Sequence, residues 1–186
     1  MPSPKKPTKT WDIAALLDKT PVVETVDLVI DPEWGAAHEQ AVNDLELARR
    51  RSESSARGIA NTTAVADAEH DVSVAEKQLA ALEKTRGDAV VRFEFAGLNG
   101  YEYDRLIRCH QPTAKQRGEM NKTGDRAMWN AETFPPALVD ACMISPKLSE
   151  DDVGELFKSP MWNAAETGML FSTALLACTR SYRADT

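Results

Sequence analysis

The chain has little of what catalysis and metal binding use. Three cysteines and three histidines are spread over 186 residues. Cys109, Cys142 and Cys178 are odd in number and far apart, which excludes the even, closely spaced set of a small disulfide framework. Cys142 and Cys178 fall within apolar helical patterns and read most simply as small core residues in a reducing compartment. Cys109 and His110 are adjacent, but a closed zinc site wants four well-spaced ligands and no second Cys/His pair exists. His38 and His70 stand alone. A nucleophilic Cys109 would need a base, an orienting group and a helix N-terminus. It falls instead near a predicted helix C-terminus, where the dipole opposes a thiolate. Asp151 and Asp152 are adjacent acids at a helix start, suited to complementing the dipole. Gly97 and Gly100 lack the Lys-Ser/Thr and third glycine of a phosphate loop. The expectation is no catalytic residue, no metal ligand and no cofactor.

Excess basic charge is missing too. Lys plus Arg number 22 against 29 Asp plus Glu, a net charge of −7. That disfavours nucleic acid, which needs a concentrated basic surface. Lys5, Lys6 and Lys9, and Arg49 to Arg51, read as a tail and a helix end. Long apolar runs are absent. Met169 to Cys178 is the longest, broken by Ser172 and Thr173, and a membrane span needs about 20 residues. The opening MPSPKKPTKTW has charge but no apolar stretch after it, so no signal peptide is expected. At 42% hydrophobic and 27% charged residues, the composition is that of a globular chain rather than a disordered one.

What is present is helical periodicity framing two short alternating runs. Residues 1–10 read as a mobile tail. Trp11 to Leu17 suits one or two helical turns capped by Thr10. Val22 to Ile30 alternates, with Val22, Val26, Leu28 and Ile30 on one face, and predicts a strand. Asp31-Pro32 stops it and starts a helix over 33–50, with Ala37, Ala41, Leu45 and Ala48 on one side. Residues 52–63 read as a flexible connection or a frayed helix end. The next helix, 65–86, repeats Val65, Val72 and Leu79 every seven residues, and likewise Ala68, Ala75 and Leu82. That seam fits a helical hairpin within the chain or a coiled coil between chains. Gly87 is placed to end it. Val91, Phe93 and Phe95 alternate in a strand over 89–95, and a turn at 97–100 leads to a helix over 101–110.

Residues 111–128 are polar and read as an irregular connection. The C-terminal region, 129–180, offers helices at about 134–144, 149–158 and 161–180, followed by a tail at 181–186. Pro135 and Pro136 suit a first helical turn, with Thr133 placed to cap. Ser149 and Asp152 form a near capping box. The last helix is apolar nearly all round and suits a core or an interface. The expected fold is α+β, mainly α: a strand, helical hairpin and strand region over 11–110 with a two-stranded sheet at the hairpin base, then a C-terminal helical bundle. Aromatics are only 6% of the chain, yet Trp129, Phe134 and Trp162 stand at helix starts beside polar residues. They either plug the bundle core or anchor a partner, as tryptophan often does at binding hot spots. With Leu170 and Phe171 they are the candidate partner-binding residues.

Four stretches carry a resemblance to a known family. They are Trp11-Asp12-Ile13-Ala14-Ala15-Leu16-Leu17, the charged helical middle 33–86, the passage Phe93-Glu94-Phe95-Ala96-Gly97-Leu98 leading to His110-Gln111-Pro112-Thr113, and Trp129-Asn130-Ala131-Glu132-Thr133-Phe134-Pro135-Pro136-Ala137-Leu138-Val139 followed by Ala141-Cys142 and Leu148-Ser149-Glu150. The last is the most specific. Together they resemble the tail assembly chaperones of long-tailed bacteriophages of actinobacteria. Segment 33–86 is longer and richer in alanine than the family pattern leads one to expect. The resemblance implies a non-enzymatic factor in the cytoplasm of the infected host. Such a factor coats the tape-measure protein, brings in the major tail protein, and is absent from the finished virion. Self-association is expected. A structural protein of the tail or head–tail junction is the alternative.

Overall fold

The carboxylate of Asp31 caps the helix that follows it, accepting the backbone N–H groups of Glu33 and Trp34 at 3.0 and 3.2 Å. In the computed structural model, which describes residues 20–57, 62–123 and 128–180, this cap launches α1, Pro32–Arg57. Residues 52–57 are helical, so of the two readings of this stretch the helix continuation holds rather than the flexible connection. Serine, glutamate and alanine there offer neither proline nor glycine to stop propagation. The expected turns over 11–17 and both tails lie outside the described residues.

Helix α2, Thr62–Glu83, packs on α1 within the chain. Arg49 meets Glu76 at 3.0 Å and His38 meets Glu83 at 2.9 Å, an order that fixes the hairpin as antiparallel. Ala41, Leu45, Ala48, Ala68 and Ala75 are buried, while Ala37 is exposed. Alanines facing each other let the two axes approach closely, so the seven-residue seam is used inside the chain. Trp34, unremarked in the sequence, closes the base. Its indole N–H donates to the Leu82 carbonyl and the Thr85 hydroxyl, both at 3.1 Å, and its ring stacks on His38 at 4.8 Å.

Gly87 does not end α2. It lies inside a short helix, α3, Arg86–Ala89. Strands β1, Val23–Val29, and β2, Val90–Ala96, flank the hairpin in sequence. The Ile30 N–H donates to the Ala89 carbonyl and the Gly97 N–H to the Val22 carbonyl, each at 2.8 Å. Opposite ends of the strands are thus joined, which makes the pairing antiparallel. Asp27 on β1 accepts hydrogen bonds from Arg92 and Arg86. The Arg92 hydrogen bond, with the charge of both guanidinium groups, holds its carboxyl below the usual aspartate value.

The sheet has three strands, in the order β1-β2-β3, not the expected two. β3 is Met143–Ser145; its first two residues, Met143 and Ile144, fall within the stretch assigned from sequence to the end of a helix. It pairs antiparallel with β2, Phe95 opposite Met143 and Glu94 opposite Ser145, with an irregularity between Glu94 and Phe95. Phe93 and Phe95 are buried.

Residues Val26–Phe93 form one compact unit, and the remaining described residues form another. The second unit includes α4, Gly100–Cys109, which the sequence had grouped with the hairpin. It also includes α5, Ala114–Thr123, within the segment expected to be irregular. The sequence did signal α5. Thr113 and Gln116 form a capping box, the Gln116 N–H on the threonine hydroxyl at 3.2 Å and the Thr113 N–H on the glutamine side chain at 3.0 Å. Three further helices follow: α6, Phe134–Cys142, α7, Glu150–Lys158, and α8, Ala164–Thr179. Capping boxes at Ser149/Asp152 and Asn163/Glu166 start the last two. The second of these places the start of α8 three residues later than expected. Thr133 does not cap α6 with its side chain; its hydroxyl is 3.0 Å from His110 Nδ1 instead.

Candidate functional site

The candidate aromatics gather in the second unit. Phe134 is fully buried at the start of α6. Trp129 stacks on it at 4.8 Å, and Phe171 of α8 meets both rings edge-on at 6.1 Å. Tyr103 and His110 meet Phe134 edge-on at 6.3 Å, and burial raises the Tyr103 phenol pKa. Edge-to-face and offset stacks of this kind add about 0.5–1.5 kcal/mol per pair beyond area burial. Leu170 is fully buried as well. A side chain with no exposed surface cannot touch a partner of this conformation, so Phe134 and Leu170 are core residues rather than anchors. Trp129, Trp162 and Phe171 are half-buried.

Two surfaces stand over this core. The first is the outer face of α8. Ala165, Met169, Ser172 and Leu176 are exposed and fall at the 4-3-4 spacing of one helix face, with Gly168 beside them. Met169 and Leu176 are 43% and 45% exposed. Glu166, in the first turn, is the single charged residue of α8. Met161, just before the helix, is 85% exposed. Methionine is flexible and polarisable, and is over-used on surfaces that accept varied apolar partners.

The second is a groove of about 710 Å³ between α6 and α7, lined by Pro136, Ala137, Gly154 and Phe157 and edged by Glu132, Glu150, Asp151 and Glu155. His110 and Thr133, which hydrogen-bond each other, lie against the aromatic core and form one wall. A smaller groove of about 480 Å³ runs along the hairpin at Leu45 and Leu79. Its walls carry Arg49 in an ion pair with Glu76, and Glu83 within hydrogen-bond distance of His38, so each of these carboxylates already has a partner within the hairpin. In the larger groove none of the four carboxylates is in an ion pair among the described residues.

The cysteines are free. Cys142 Sγ and Cys178 Sγ are 3.4 Å apart. Either thiol can donate to the other; with the proton held on Cys142, the contact lowers the Cys178 pKa to about 7 against the opposing effect of burial, and the Leu98 N–H adds a second donor at 3.4 Å. Cys142 is pushed up by the same contact and by burial. With Cys109 replaced by serine, alkylation of Cys178 should rise with pH through a midpoint near 7, and Cys142→Ala should move that midpoint up. A midpoint near that of an ordinary thiol in the unaltered pair would contradict the contact. Among the described residues no three His, Cys, Asp or Glu side chains are grouped to hold a metal ion, and no helix is long and apolar enough to cross a membrane.

Compared with protein-family models, curated proteins and solved structures, the chain matches none of them.

Proposed function

We propose that this chain is a non-enzymatic binding protein of the tail assembly chaperone kind. It holds the tape-measure protein in the cytoplasm of the infected host, passes it to the major tail protein, and leaves before the virion is complete. The observation that carries the reading is the uncharged outer face of α8, with Met169 and Leu176 exposed two turns apart. A helix with an open apolar stripe suits a second helix laid along it, anchored at i, i+3, i+4 and i+7. Gly168 adds to this. A side chain there would meet nothing within 4 Å among the described residues, so no packing demand from them explains a residue that costs a helix interior about 1 kcal/mol relative to alanine. A partner backbone approaching closely would explain it. The net charge of −7 keeps such a complex soluble. The resemblance at 129–150 supplies the identity of the client.

The anchors therefore move outward from the sequence assignment, from Phe134 and Leu170 to Met169 and Leu176, with Trp162 and Phe171 half-buried beside them on the same chain segment. Self-association through the same face is compatible with this role. A structural protein of the tail or head–tail junction would use the same surface permanently. Mass spectrometry of purified particles, assembled in cells that make this protein, separates the two. The chaperone role predicts its absence from particles, and stoichiometric presence would favour the structural role.

A further inference from the structure

We infer that the groove between α6 and α7 docks a cationic amphipathic helix, so that the client segment this protein holds is basic on one side and apolar on the other. The inference rests on the client-holding role and names the chemistry of the client.

Charge is the first argument. Glu150 and Asp151 lie in the first turn of α7, where helix-dipole compensation alone would account for them. Glu132 directly precedes the N-cap of α6, where that helix's dipole favours it too, but Glu155 lies past the first turn of α7, beyond the dipole's reach. All four border one groove, against a single Lys158. Unpaired like charges facing one cleft repel each other, and a cationic ligand relieves that repulsion as it binds.

Shape is the second. The floor is Pro136, Ala137 and Phe157, which gives apolar side chains somewhere to go. Gly154 sits in the middle of α7 on the groove side, and a side chain built there would touch nothing within 4 Å. Nothing among the described residues requires glycine at that position, and a helix-interior glycine costs about 1 kcal/mol relative to alanine. Its effect is to leave the floor open to a close-lying backbone. The nine residues of α7 extend about 13 Å, enough to receive two or three anchors from one helix face.

The test uses the full chain and a fluorescein-labelled synthetic peptide of leucine and lysine, patterned as an amphipathic helix, with binding read by anisotropy. Gly154→Gln fills the groove while improving helix propensity. It should weaken binding at least tenfold with no loss of thermal stability. Glu132→Gln/Glu155→Gln should weaken it several-fold and flatten its salt dependence. Glu39→Gln/Glu69→Gln, which makes the same charge change on exposed hairpin positions, should leave binding within twofold. Unchanged binding to Gly154→Gln, or equal losses from the two glutamate pairs, would overturn the groove. So would tenfold tighter binding when Lys5, Lys6 and Lys9 become serine, because the chain's own basic segment would then be the occupant. If Met169→Glu/Leu176→Glu abolishes binding while Gly154→Gln does not, the groove proposal falls and the client-holding role through α8 stands.

Discussion

Phe134→Ala is expected to cost the C-terminal unit about 3–5 kcal/mol, the range for deleting a buried aromatic. The ring is fully buried and is the one that Trp129, Phe171, Tyr103 and His110 all meet. Its removal leaves a cavity and frees four neighbours at once. Whole domains are stable by only about 5–15 kcal/mol, so most of the unit's margin goes. Denaturant unfolding followed by tryptophan fluorescence checks this, since Trp129 stacks directly on the deleted ring. A loss below about 1 kcal/mol, the scale of an ordinary surface change, would contradict the placement of Phe134 at the centre of the core. Partner binding should fall in step with folding. A fully folded Phe134→Ala that had lost only binding would restore Phe134 as an anchor.

The second large effect is expected at Gly97. A methyl group there would sit 2.8 Å from the carbonyl carbon of Ala177 and closer still to its oxygen. Both neighbours are backbone, and Ala177 belongs to the last turn of α8, so neither can swing aside. The same approach lets the Leu98 N–H reach Cys178. Gly97→Ala should therefore cost about 3 kcal/mol, the upper end for overpacking, and raise the Cys178 midpoint as the Leu98 donor is displaced. Gly100→Ala is the control, because a side chain there meets nothing within 4 Å. Equal stability of the two variants in a thermal melt would refute the close approach.

Local patterns in the sequence foretold the hairpin and its flanking strands. The seven-residue repeat of Val65, Val72 and Leu79 marked one helix. The alternation of Val91, Phe93 and Phe95 marked one strand, and Asp31-Pro32 marked a boundary. Each signal lies within one element and needs no knowledge of distant contacts. β3 was hidden because Met143, Ile144 and Ser145 follow an apolar helical run without a break. Three residues are too few to show a period of two; only pairing with Glu94 and Phe95 makes them a strand. α5 was hidden by its polar composition, although the Thr113/Gln116 box announced it.

The candidate site was half legible for the same reason. That Trp129, Phe134 and Phe171 matter could be read from their rarity and position. Which of them face inward could not, because burial of Phe134 depends on Tyr103, His110 and Phe171 arriving from other elements. The groove draws on His110, on residues 131–137 and on residues 150–158. No single stretch carries its pattern. Glycines 154 and 168 were the available clues, each a costly residue inside a helix with no packing reason among the described residues to be there.

If the uncharged face of α8 holds a helical client, the solubility of that client depends on Met169 and Leu176. The direct measurement is the soluble fraction of the tape-measure protein, co-expressed with this chain or with its Met169→Glu/Leu176→Glu variant. Both positions are exposed, so the variant should fold as the parent does by circular dichroism. Full burial of an apolar side chain is worth about 1.5–3 kcal/mol, so charging two half-exposed ones should weaken the complex by about tenfold or more. The client should be soluble with the parent chain and aggregated with the variant. A client equally soluble with the folded variant, or with no partner present, would contradict the client-holding role of this face.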